Sequence, residues 1–130
     1  MPQTPLNVNI AKKAGSTAGG LAQLDSVGAL AVTPGGISST LNVTAAAVIK
    51  AAPGRLCKIH VVAPGTTGGA LTINDLTTTT GSAASNTILS VPFGSLTAGQ
   101  VIALDWPCLV GIAVTAVPTG GSPIYSISWM

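Results

Sequence analysis

The groups able to do chemistry in this 130-residue chain are few: one histidine, His60, two cysteines, Cys57 and Cys108, three carboxylates, Asp25, Asp75 and Asp105, and five cations, Lys12, Lys13, Lys50, Arg55 and Lys58. An acid–base pair needs two titratable groups held together, and the aspartates are too few and too scattered for one. Serine and threonine are abundant, but a nucleophile needs an orienting base, and the G-x-S-x-G elbow is absent. No G-x-x-x-x-G-K-[ST] phosphate loop occurs, because the glycines stand in turn positions without a following lysine. Two cysteines without a second histidine or a carboxylate cluster do not make a zinc site. The inventory therefore predicts a chain that is not an enzyme and carries neither cofactor nor metal.

Composition narrows the class further. Only 6% of residues are charged, against roughly a quarter in ordinary soluble domains. Much of the outside must then be Thr, Ser, Gly and Asn, or be covered by another protein. A net charge of +2, scattered along the chain, lacks the clustered basic stripe and stacking aromatics that mark nucleic-acid binding. No apolar run reaches membrane-spanning length without Gly, Pro or hydroxyl residues interrupting it. The N-terminus has no apolar segment following its lysines, so the expectation is cytoplasmic synthesis without a secretory signal. The aromatics Phe93, Trp106, Tyr125 and Trp129 are few for a sugar-stacking platform, although Trp106 and Trp129 fall at a turn and at the terminus, where either could be exposed.

The elements that must position these groups are strands. The stretch Val101–Val117 holds two apolar runs that meet at Asp105-Trp106-Pro107-Cys108. In the second run Cys108, Val110, Ile112, Val114 and Ala116 share one face, and Leu109, Gly111, Ala113, Thr115 and Val117 the other. This two-residue period and the β-branched content favour a half-buried strand. The second face is small and weakly polar, so a neighbouring layer or subunit is expected to cover part of it. Pro107 predicts a turn into a new strand. The Asp-Trp-Pro-Cys corner reads as a structural landmark, because Asp105 has no base, nucleophile or metal partner near it in sequence.

From Ile37 onward, short apolar runs alternate with Gly/Pro-rich turns. The first places Leu41, Val43, Ala45, Ala47 and Ile49 on one face. After the Pro53-Gly54 turn, RLCKIHVV sets Cys57, Ile59 and Val61 inward and Lys58 and His60 outward. ALTINDL follows with Leu71 and Ile73 on one face, then the low-complexity loop TTTTGSAAS, then NTILSVPF, whose Pro92 signals an edge or an exit. IYSISW closes the chain. Central strands are predicted near Cys57–Val62 and Leu109–Ala116. Cys57 and Cys108 both fall on apolar faces as potential neighbours, read as reduced core residues with a disulfide as the alternative. Seven or eight short strands predict an all-β fold, an antiparallel β-sandwich that is jelly-roll-like or immunoglobulin-like, over residues 37–130.

Residues 1–36 read differently. Pro2, Pro5, Pro34 and two Gly-Gly pairs interrupt every apolar cluster before it can grow. Leu6, Val8 and Ile10 alternate like a short edge strand, and Leu21, Leu24, Val27 and Leu30 have the spacing of a turn or two of helix. Neither group can bury itself. The segment reads as an extended N-terminal arm that finds its partner surface on another subunit or another protein, with a plain tail as the alternative.

The segments IKAAPGRLCKIHVV, TILSVP and LDWPCLVGIAV, within Ile49 to Trp129, resemble small virion proteins of tailed bacteriophages, of the head-decoration or cement type. The resemblance covers about two thirds of the chain and rests mainly on the Pro-Gly-Arg-Leu-Cys and Trp-Pro-Cys combinations. It implies a β-sandwich or jelly-roll body bound as an oligomer to the major capsid protein on the outer surface of the virion. The small outward face at Ala113 and Thr115 and the sparse charge point to a homo-oligomer, and the local three-fold positions of capsids favour a trimer over a dimer. On this reading the candidate capsid contacts lie in the arm, at Leu6, Val8, Ile10, Lys12, Lys13, Leu21 and Leu24. Two other readings come from different classes: a receptor- or glycan-binding module of a fibre or tail, and a minor tail or neck component.

Overall fold

Strand propensity and alternation are realised as eight strands among the described residues. The computed structural model describes residues 36–130, so the arm and its candidate contacts Leu6, Val8, Ile10, Lys12, Lys13, Leu21 and Leu24 lie outside the described residues. The strands are β1 (Ser38–Val43), β2 (Ala47–Lys50), β3 (Gly54–Ala63), β4 (Ala70–Asn74), β5 (Thr87–Pro92), β6 (Val101–Cys108), β7 (Ile112–Ala116) and β8 (Ile124–Trp129). They form two four-stranded antiparallel sheets, ordered β1-β8-β3-β6 and β2-β7-β4-β5. First pairs with last, second with seventh, third with sixth and fourth with fifth. That nested pairing is a long hairpin wrapped into two layers, a jelly roll rather than an immunoglobulin-type sandwich.

Leu56, Ile59, Val61, Leu71, Ile73, Ile112, Val114, Tyr125 and Ile127 are fully buried between the sheets. Each such aliphatic side chain contributes about 1.5–3 kcal/mol on leaving water. Burial raises the Tyr125 phenol above its ordinary pKa, and its hydroxyl donates to the Pro64 carbonyl at 3.2 Å. The expected central strands are central: β3 lies between β8 and β6, and β7 between β2 and β4. Lys58 and His60 face outward and Cys57, Ile59 and Val61 are buried, as alternation requires. Leu56 is buried as well, because β3 carries an extra residue relative to β8 at Leu56–Lys58.

Three local expectations are corrected. The run Leu41–Ile49 is two strands in different sheets, not one. A bulge between Thr40 and Val43, with Asn42 at φ 56, turns Leu41 outward while Val43 stays in the core. Second, Pro107 does not end its strand. Among the described residues β6 pairs only with β3, and Arg55, opposite Pro107, bonds Met130 with its backbone groups instead, so the proline forfeits no ladder bond and the strand runs on to Cys108. Third, the chain breaks at Leu109–Gly111 instead, so Val110 is exposed, β7 starts at Ile112, and a bulge near Thr115 leaves Ala116 exposed. Inward facing holds for Ile112 and Val114 only, together with Cys108 at the end of β6.

All four edge strands are blunted. β1 is bulged, β2 has four residues, β5 is bulged and ends at Pro92, and β6 is bulged and holds Pro107. The wrapped hairpin also places the loops at two ends. Residues 44–46, 64–69, 93–100 and 117–123 lie at one, here called the far end. Residues 51–53, 75–86 and 109–111 lie at the other, with Met130 and the entry of the chain at Gly36.

Candidate interaction surface

Every titratable group predicted in the body has a definite structural place. Asp75 follows β4, and its carboxylate accepts three backbone hydrogen bonds from the β6–β7 turn: Leu109 N–H to Oδ2 at 2.9 Å, and Val110 and Gly111 N–H to Oδ1 at 2.8 and 2.9 Å. Burial pushes this carboxyl up, but the three donors together outweigh it, and its pKa lies below the ordinary value. The turn comes so close that a Cβ on Gly111 would sit 2.6 Å from the Leu76 carbonyl oxygen and 2.8 Å from that of Lys50. Only glycine fits.

Asp105 pairs with Arg55, fifty residues away in sequence, through the bulge where β6 carries an extra residue opposite Cys57 and Asp105 takes φ 51. Both side chains are substantially exposed, so the pair fixes geometry more than it stabilises. Its hydrogen bond and charge hold the guanidinium pKa above the ordinary value. Cys57 and Cys108 are free thiols, both buried, and burial raises both pKa values. No cluster of His, Cys, Asp or Glu with metal-binding geometry occurs among the described residues. His60 stands beside Lys58 on the outer face of the β1-β8-β3-β6 sheet. There, with Ser39, Val101, Ser126 and Ser128, it borders a shallow trough of about 320 Å³.

The small face of β7 does acquire a cover, from the chain itself. Asn74 and Ala113 are cross-strand partners on the outer side of the β2-β7-β4-β5 sheet, and both are fully buried. The Asn74 amide donates to Asn86 Oδ1 at 2.6 Å and to Thr87 Oγ1 at 3.0 Å. Its oxygen accepts from Thr115 Oγ1 at 2.6 Å and Ser82 Oγ at 3.2 Å. The TTTTGSAAS loop is thus folded back and pinned by a saturated polar network. Nothing in the alternation of ALTINDL signals this, because the partners of Asn74 come from another strand and from the loop's return.

What remains uncovered is distributed unevenly between the ends. At the arm-side end, Ile37 and Leu109 are each 78% exposed, Trp106 is 53% exposed, and Val110 and Met130 are exposed as well. Cross-strand register makes this a continuous rim. Ile37 N–H donates to the Trp129 carbonyl, Met130 and Arg55 exchange both backbone bonds, Leu56 lies opposite Trp106, and Gly54 lies opposite Cys108, which leads into Leu109 and Val110. Among the described side chains near it, Arg55 pairs with Asp105, Asp75 is held by the turn, and Lys50 places its Nζ 5.2 Å from the centre of the Trp129 ring.

The far-end loops expose Thr44, Ala45, Ala46, Thr66, Thr67, Thr97, Ala98, Thr119 and Ser122, with glycines between them and no large apolar side chain. Threonine pairs close this end. Thr67 and Thr119 hydroxyls lie 3.0 Å apart, and Thr119 Oγ1 also donates to the Gly68 carbonyl at 3.1 Å.

Comparison with known proteins returns no matching family, no matching curated protein and no matching solved structure.

Proposed function

We propose that the chain is a virion structural protein that binds the outer surface of a tailed-phage capsid and stabilises it, as the resemblance of its Ile49–Trp129 segment implies. One observation carries the reading furthest: the eight strands of a jelly roll all lie within Ser38–Trp129, after the stretch whose sequence reads as an arm. A self-sufficient body joined to a segment rich in small apolar groups suits a protein that attaches to a larger assembly. Jelly rolls also serve viral capsids and lectins, which is support by analogy of fold.

In this reading Leu6, Val8, Ile10, Leu21 and Leu24 bury area against the major capsid protein, and Lys12 and Lys13 add a salt-sensitive contribution. A homo-oligomer, with three copies favoured over two, would let several arms engage at once and raise the effective concentration of each. The deciding experiment removes residues 1–36, checks that the body keeps its melting transition, and measures co-sedimentation with capsids assembled without the protein. Loss of binding with folding intact supports the reading. Copy number then separates decoration, with hundreds of copies per particle, from a tail or neck part, with about a dozen or fewer.

A second reading has one specific observation in its favour. Trp106 is exposed, and its chain neighbour Asp105 holds Arg55, which sets an aromatic surface near polar groups in the way sugar sites do. A glycan array with full-length protein and Trp106→Ala tests it. Glycan binding lost in the variant would move the assignment to a fibre or tail module.

A further inference from the structure

Resting on the decoration reading, we infer that the body itself makes a contact, end-on: the rim formed by Ile37, Trp106, Leu109, Val110 and Met130 packs against an apolar, uncharged patch of the shell protein, and the threonine-and-glycine end points away from the particle.

Three independent features converge on this polarity. Five of the nine large exposed apolar side chains among the described residues gather at one end of the sandwich, the loops of the other end hold none, and the remaining four, Leu41, Val48, Val62 and Val101, stand on strands. A clustered apolar patch marks an interaction site, whereas scattered ones do not. Second, the rim is built rather than frayed. Leu109 and Val110 sit on a turn whose three successive N–H groups are held by the Asp75 carboxylate, and Gly111 lets that turn press on the backbone of Leu76 and Lys50. A turn fixed in this way displays its side chains at little further ordering cost on binding. Third, the chain joins the body at this same end, at Gly36, with 35 residues preceding it. If those residues hold the shell, the tether meets the body at the rim end.

The chemistry of the partner follows from the charges. The rim side chains themselves, Ile37, Trp106, Leu109, Val110 and Met130, are uncharged, so burying a partner's unpaired charge against them would be costly. The contact is therefore apolar on both sides, and its strength should be nearly independent of ionic strength, unlike a contribution from Lys12 and Lys13.

The test uses full-length protein and capsids assembled without it. Leu109→Asp should reduce co-sedimentation by about tenfold or more, by the same factor at low and high salt, while Ala98→Asp at the far end leaves binding unchanged. Should the Asp variant lose its melting transition, Leu109→Ser and Trp106→Ser replace it. A biotin placed through Ala98→Cys should capture streptavidin on decorated particles, and one placed through Leu109→Cys should be hidden. Equal binding of the rim and far-end variants, or a hidden label at Ala98, overturns the inference while leaving decoration intact. Self-association that Leu109→Asp abolishes without touching particle binding also overturns it, making the rim a contact between copies. Failure of the unaltered protein to bind capsids at all removes the decoration reading and the end-on contact with it.

Discussion

The two ends of the sandwich are made from similar turn-forming residues yet are held by different physics. At the far end, loops close on one another through hydroxyls and backbone, as between Thr67, Gly68 and Thr119, with glycines at positive φ such as Gly99 and Gly120 and no charged group taking part. At the arm-side end one carboxylate organises three donors, an ion pair ties two strands, and a glycine is jammed between carbonyls. The locked end is the one whose loops carry large exposed apolar side chains. A backbone fixed by polar groups can present such side chains without rearranging to hide them, and the hydroxyl-closed end has no need of that rigidity.

Core deletion sets the upper scale of what disruption costs. Ile112→Ala, at the first position of β7 after the locked turn, should lose about 2–5 kcal/mol in chemical denaturation, because a cavity adds to the lost burial. Next comes Gly111→Ala, where crowding against two backbone carbonyls should cost about 1–3 kcal/mol. Its counterpart at the far end, Gly68→Ala, has open space and no positive φ, and should be neutral or slightly stabilising. Equal penalties at the two glycines would erase the contrast between the ends.

Asp75→Asn removes the charge from the three-donor site and turns an acceptor into a donor facing a backbone N–H, so about 1–3 kcal/mol should be lost near neutral pH. The sign with pH is definite. The folded pKa of Asp75 lies below its unfolded value, so its contribution is fully present above the ordinary carboxylate pKa and disappears as pH falls through the folded value. Wild-type and Asn variant should therefore converge in melting temperature on acidification, and a constant gap down to low pH would remove Asp75 from this role. Thr119→Val at the far end deletes two exposed hydrogen bonds and should cost only about 0.5–1.5 kcal/mol. Smallest of all, Lys58→Ala on the open outer face of β3 should stay within about 0.5 kcal/mol.

Much of the strand content was legible from alternation, because a two-residue period with one buried face leaves little choice of facing: Ile59 and Val61 in β3 and Leu71 and Ile73 in β4 all lie where parity puts them. The reading slipped where an extra residue shifts the phase. Leu41 and Ala116 each adjoin a bulge, and bulges arise from pairing with a partner strand that local composition does not name. The rim was half legible. Leu109 and Val110 were recognised as apolar but assigned to a strand, since only the Asp75 carboxylate, thirty-four residues before Leu109, makes a turn there.

Composition and periodicity thus sufficed for an all-β sandwich with buried cysteines and an outward Lys58–His60 face, because burial of apolar surface acts residue by residue along a strand. Strand order, the Arg55–Asp105 pair, the buried Asn74 network and the gathering of apolar side chains at one end depended on which strands meet. Those are long-range pairings, chosen by the joint packing of two whole sheets, and no window of sequence contains both partners.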